Sequence, residues 1–343
     1  MEYTELSLKE RQDILRRVQS ETGMDLQIIE KDWWVTTVLR ALFSLPYAEH
    51  LSFKGGTNLS KCWNLIRRMS EDVDIAIDRE YLGYGGQLSK TQISDRLRRA
   101  ACSFVREQLQ LDLADQLEKN GVSREDFKVN VNITPITTTD PETIEVEYKP
   151  VIDANPYIRS KVLIEVSGRS MSEPVTIVPL KSYIDEVYPA APFTKPAFDV
   201  RAVVPQRTFL EKLFLLHEEF SKPKDDIRVS RMSRHLYDIC QIADTPIAEE
   251  ALADKDLYLS VIDHRHMFIG LKGFNYDTLL PQTLSIIPPE AIRERWKEDY
   301  RSMQESMIYE ESPSFEQLIE KLADLNRRIN KLQYQAVKAS SLR

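Results

Sequence analysis

Apolar positions keep three different rhythms along the chain. From Ser7 to Leu45 they recur at helical spacing: Ser7 and Glu10 stand in a capping-box arrangement, and a second helix is predicted from Ile29 to Leu45. In that helix Trp33, Val38, Leu42 and Leu45 keep the period until Pro46 stops it. The rhythm then shortens. Leu51-Ser52-Phe53 predicts a strand, Gly55-Gly56 a turn, and Thr57 the N-cap of a helix reaching about Arg67. From Val73 to Ile77 the pattern is that of a strand, with Val73, Ile75 and Ile77 alternating against Asp72, Asp74 and Ala76.

Ser89 to Leu117 predicts one long amphipathic helix or two. Strands are predicted at Lys128–Ile133, Thr143–Tyr148, Lys161–Ser167 and Val175–Val178. Helical spacing returns at Gln206–Phe220, Val229–Ile242, Asp254–Ile269, Glu290–Tyr309 and Phe315–Val337. Glycine and proline sharpen this division: five of the 10 glycines lie between positions 55 and 86, and ten of the 17 prolines between 135 and 205. The expected class is therefore α+β. A first domain, 1–205, carries a small mixed sheet flanked by helices behind a helical start, and a second, 206–343, is helical.

Composition narrows the function. At 343 residues the chain exceeds one ordinary core, and its net charge of −8 argues against binding nucleic acid over the whole surface. A local basic groove stays open: Lys54, Lys61, Arg67 and Arg68 occur without an intervening acid, and Lys222, Lys224, Arg228, Arg231 and Arg234 outnumber Asp225 and Asp226. Cys62, Cys102 and Cys240 offer neither a disulfide framework nor a paired-cysteine metal site. The first thirty residues are too charged for a signal peptide, and no apolar run approaches the ~20 residues of a bilayer span. A cytoplasmic protein without membrane association is expected.

The chemistry concentrates between Phe53 and Ile77. Asp72 and Asp74, one residue apart on a strand, project from one face, and two like charges side by side are best tolerated with a cation between them. Such hard oxygen donors suit Mg²⁺ or Mn²⁺, which also bridge to substrate phosphates. Upstream, Gly55-Gly56-Thr57 is a glycine turn running into a helix, an arrangement that presents backbone N–H groups to an anion. Either feature alone is common. In this order, strand, glycine turn, helix and acidic strand, they are the minimum equipment for metal-assisted phosphoryl or nucleotidyl transfer.

The same residues resemble a known family. FKGGTNLSK…MSEDVDIAI is similar to the glycine-turn and D-x-D signature of the nucleotidyltransferase superfamily, and in particular to its AbiEii/AbiGii toxins. IEKDWWVTTVLRAL (Ile29 to Leu42) resembles the family's preceding helix, and FLEKLFLLHEEF with SRMSRHLYDI (Phe209 to Ile239) its downstream helical pair. The resemblance implies a nucleotidyltransferase-type sheet and the toxin half of a toxin–antitoxin or phage-defence pair. It implies a nucleoside triphosphate as substrate, an RNA acceptor with tRNA 3′ ends leading, and a cognate antitoxin encoded nearby. Asp72 and Asp74 would be the catalytic metal-binding carboxylates, and Gly55, Gly56 and Thr57 the nucleotide-phosphate turn. Lys212 would contact the triphosphate, Asp238 would complete the pocket, and Glu165 is the candidate third carboxylate, with Glu165 or Asp238 as base. Spacing places Lys212 at the edge of the stripe formed by Phe209, Leu213, Leu216 and Phe220, and puts Arg231, Arg234 and Asp238 on one helix face, where a surface ladder of ion pairs would look the same. Two other functions remain open on sequence: a catalytically silent nucleotide-sensing or partner-binding protein on this fold, and a γ-phosphotransferase.

Overall fold

The computed structural model describes residues 1–70, 72–132, 142–152 and 159–334. Glu71, Ile133 and the final residues of the last predicted helix lie outside the described residues. The chain divides into two compact units, one of residues 1–64 and 69–203, the other of Leu65–Arg68 with the chain from Val204 onward.

The first unit is built on one mixed sheet. Its strands are β1 (Leu51–Lys54), β2 (Asp72–Ile77), β3 (Phe127–Asn132), β4 (Glu142–Tyr148), β5 (Lys161–Ser167), β6 (Val175–Leu180) and β7 (Phe198–Val203), in the order β3-β4-β5-β2-β1-β7-β6. β2 is antiparallel to β1 and parallel to β5, β1 is parallel to β7, and the outer pairs are antiparallel. Alternation decides the faces: Val73, Ile75, Ile164 and Val166 are fully buried, and their neighbours Asp72, Asp74 and Glu165 are not. β7 has no counterpart among the predicted strands, because Pro196 and Pro205 bracket it and give the region the signature of turns.

Helix α1 (Leu8–Thr22) opens with both bonds of the Ser7–Glu10 capping box and closes on Gly23 at φ +72. Helix α2 (Leu26–Leu42) is capped by Asp25 and carries the buried Trp33 and Trp34. It packs against α1, β5 and β7. Helix α3 (Gly55–Lys61) is shorter than the spacing predicts; Asn64 takes a φ of +53, which ends helical geometry well before Arg67. The predicted long helix is α4 (Arg98–Phe104) and α5 (Gln110–Lys119), run together through π-helical turns at Gln92–Leu97 and Val105–Leu109. A short α6 (Tyr183–Val187) follows β6.

The second unit is helical: α7 (Pro205–Phe220), α8 (Ser233–Ile242), α9 (Pro246–Ala253), α10 (Lys255–His264), α11 (Arg293–Ser306) and α12 (Phe315–Asn330). Pro205 stands at the first turn of α7, where its missing N–H costs nothing. Phe209, Leu213, Phe214 and Leu216 of α7 pack in a core with Leu236, Tyr258, Trp296 and Leu322, all fully buried. The segment Leu65–Arg68 joins this unit through a bridge from Arg68 to Ile308 and a bond from the Tyr309 N–H to the Arg67 carbonyl. No helix of the described residues is long and apolar enough to cross a membrane.

Candidate active site

Asp72 and Asp74 lie two residues apart on β2 and share its half-exposed face. In the parallel register between β2 and β5, Asp74 stands opposite Glu165. Paired residues of neighbouring strands point to the same side of a sheet, so one face carries Asp72, Asp74 and Glu165. On the other side of β2, Asp74 pairs with Lys54, the last residue of β1 before the glycine turn.

Gly55 takes a φ of +79, a region open to glycine, and its backbone lies directly against the Asp74 side chain. A Cβ on Gly55 would sit 2.7 Å from the Asp74 Cγ and 3.0 Å from its Cβ, with a carboxylate oxygen closer still. The turn and the second carboxylate are therefore in van der Waals contact. Thr57 has a different task from the predicted N-cap. Helix α3 begins at Gly55 with Lys54 in the cap position, and the Thr57 hydroxyl donates to the Asp72 carbonyl. Asn58, fully buried, donates to the carbonyls of Phe53 and Val203, the latter at 3.3 Å. Side-chain bonds thus hold this short helix to β1, β2 and β7.

The described residues contain no cluster of three or more His, Cys, Asp or Glu side chains placed to hold a metal ion. The donor set on the β2 face is two carboxylates of hard oxygen, the kind that leaves most of a divalent ion's coordination to water and phosphate oxygens.

Lys212 and Asp238 occupy the second unit, and their surroundings differ from the edge-of-stripe and surface-ladder expectations. Asp238 is 0% exposed and Lys212 7%. The Asp238 carboxylate accepts both the Nε and an Nη of Arg68, each at 2.7 Å, and the Lys212 Nζ lies 2.8 Å from its Oδ2. Burial pushes the Asp238 carboxyl up, but Arg68 and Lys212 outweigh it and hold it well below the usual carboxylate range. An aspartate with two cations on it and no access to water is a poor proton acceptor, which corrects its expected role as base. Burial lowers Lys212 against the pull of Asp238, and burial with the adjacent Lys212 lowers His235 well below the usual imidazole range.

Arg68 was not singled out by sequence beyond its place in a basic stretch. It is 2% exposed. The available signal was an arginine between the apolar Ile66 and Met69, both buried. The run Glu30-Lys31-Asp32, which the sequence presents only as part of a family-like helix, is likewise buried at all three positions.

Among solved structures, the chain is similar to MenT4, a nucleotidyltransferase toxin of Mycobacterium tuberculosis H37Rv, at 17% identity and a TM-score of 0.45, covering 93% of this chain and 99% of that one. It is also similar to JHP933 of Helicobacter pylori, at 12% identity and a TM-score of 0.44, covering 90% and 94%. A comparison with curated proteins gives no match. The model of one family, the nucleotidyl transferase AbiEii toxins of type IV toxin–antitoxin systems, matches residues 37–321, most of the chain and both units. The chain belongs to the AbiEii nucleotidyltransferase toxin family.

Proposed function

We propose that the protein transfers a nucleoside monophosphate from a nucleoside triphosphate to an RNA acceptor, with tRNA 3′ ends the first substrate to test, and that it works with Mg²⁺ or Mn²⁺. The observation that carries this reading is the shared face of β2 and β5, where Asp72, Asp74 and Glu165 stand in register beside the Gly55 turn. Asp72 and Asp74 would hold the ion, which, when bound, supplies positive charge against the triphosphate oxygens. The turn Gly55-Gly56-Thr57 offers backbone N–H groups to the phosphates; the Thr57 hydroxyl is already committed to Asp72. Glu165 would take the proton of the acceptor hydroxyl as its oxygen bonds to the α-phosphorus, the α–β bridging bond breaks and pyrophosphate leaves. Lys212 is assigned a triphosphate contact on the strength of the family motif. Asp238 is assigned no proton transfer; its pairing with the Lys212 ammonium holds that side chain in place.

The test is incubation with total RNA, divalent ion and each nucleotide labelled at the α-phosphate. RNA should become labelled from one or more of them, and Asp72→Asn and Asp74→Asn should each lower the rate at least about a hundredfold with the fold retained, the scale on which one charge-stabilising group is felt. Label arriving from the γ-position instead would make the protein a phosphotransferase. Full activity in both variants would end the proposal.

A further inference from the structure

Helix α2 carries three consecutive charged residues, Glu30, Lys31 and Asp32, all less than a tenth exposed. Charges are rarely buried so completely unless paired, and each of the three has its own partners. Glu30 accepts the Val151 N–H at 2.5 Å, and Lys31 donates to the carbonyls of Arg159 and Lys161. Asp32 differs in where it reaches. One oxygen pairs with the ammonium of Lys61 in the last turn of α3, and the other accepts the Tyr183 N–H at 2.9 Å. Lys61 also donates to the Lys181 carbonyl at 3.3 Å and lies 5.2 Å from the Tyr183 ring centroid.

At its opposite end α3 touches β2 at both acidic residues: Thr57 bonds the Asp72 carbonyl, and Gly55 packs on the Asp74 side chain. A helix of seven residues has too few internal bonds to set its own position, so its outward ties set it. We propose that Asp32 is a positioning residue for the nucleotidyl-transfer site, holding α3 through the buried Lys61 so that the Gly55 turn and the Asp72–Asp74 pair keep their mutual geometry. An ammonium left without its carboxylate in this interior leaves for water and draws the last turn of α3 with it. Asp32 touches no substrate in this scheme. The proposal rests on the function above for the identity of the ligand, but not for the displacement of α3.

The experiment compares Asp32→Asn, Lys61→Met and the double variant with Glu30→Gln and Lys31→Met, which perturb equally buried charges on the same helix that bond elsewhere. The probe is Mn²⁺ with the α,β-methylene analogue of whichever nucleoside triphosphate the wild type binds most tightly, measured by calorimetry. Amide exchange over 55–61 and urea midpoints are followed alongside. Asp32→Asn and Lys61→Met should each weaken binding at least tenfold and speed exchange in 55–61. The control variants, whatever their stability, should hold affinity within twofold and leave exchange in 55–61 unchanged. The double variant, free of any unpaired buried charge, carries the test if a single variant fails to fold, and should show the same two effects. Unchanged affinity and exchange in folded Asp32 or Lys61 variants, or equal losses in the controls, overturn the proposal. If the wild type binds none of the analogues, the proposed function fails by itself, and exchange over 55–61 still decides the positioning.

Discussion

The contact between Gly55 and Asp74 makes Gly55→Ala a sharp probe of the site. Two costs are expected. The first is backbone strain, since alanine at φ +79 pays roughly 1–2 kcal/mol. The second is the clash: a methyl group would stand 2.7 Å from the Asp74 Cγ, where carbon atoms prefer about 3.5–4.0 Å. The carboxylate must rotate away, and forcing it off its rotamer adds about 0.5–1.5 kcal/mol. Gly83 provides the comparison, because it holds φ +83 with nothing within 4 Å of the position its Cβ would take. Gly83→Ala therefore measures strain alone. Urea denaturation should find Gly55→Ala the less stable of the two by about 1 kcal/mol, with the difference shrinking in an Asp74→Ala background. The effect on catalysis should be larger than that on stability. A displaced Asp74 loses its place beside Asp72, and labelled-nucleotide transfer should fall about a hundredfold while Gly83→Ala stays near wild type. Gly55→Ala as stable as Gly83→Ala, with transfer within threefold of wild type, would refute the contact and the role built on it.

Other consequences follow from the buried charges. Asp238→Ala removes the buried carboxylate that Arg68 and Lys212 share and should destabilise the protein by about 3–5 kcal/mol; a loss below about 1 kcal/mol in urea denaturation would show the trio to be solvated. Burial raises Glu30 from 4.5 to about 7 in the fold, so its contribution to stability is fully present below pH 4.5 and is lost as pH rises through about 7. Glu30→Gln should therefore flatten that slope and gain on wild type above pH 7 by up to about 3 kcal/mol, and parallel wild-type and variant stability curves at pH 5 and 8 would disprove it. Lys212→Met should raise the KM for nucleoside triphosphate more than it lowers kcat, and the reverse split would move Lys212 from binding to chemistry.

What was legible in the sequence depended on neighbours close along the chain. The alternation of β2 needs positions two apart, and it gives both the buried set Val73, Ile75 and Ile77 and the common face of Asp72 and Asp74. Which strands flank β2 depends on residues far away, yet the buried Ile164 and Val166 around Glu165 were already readable as a strand of the same kind. Helix-face reasoning failed at Asp238 because its partner Arg68 lies 170 positions away on a segment that leaves the first unit for the second. The predicted face runs Arg231, Arg234 and Asp238; Arg231 lies before α8 with a φ of +60, so only Arg234 and Asp238 share the helix.

Helix α2 shows that some of the missing information was present in another form. Successive residues of an α-helix turn by about 100°, so Glu30, Lys31 and Asp32 fan over roughly 200° of its circumference. Measured from Glu30, the apolar Trp34, Val35, Val38 and Leu39, all buried, point at about 40°, 140°, 80° and 180°, within that fan. No single solvent face can accept all three charges while those four apolar residues are buried among them. The sequence therefore required at least one charge to enter the interior with a partner, and periodicity, which averages over the helix, cannot register such a requirement. The partner of Asp32 is also readable as Lys61, in the last turn of the short helix that the glycine turn opens. A buried charge run in a helix beside a catalytic motif is thus informative about what holds the motif in place, because burial obliges each charge to find a tie and the nearby opposite charges are few.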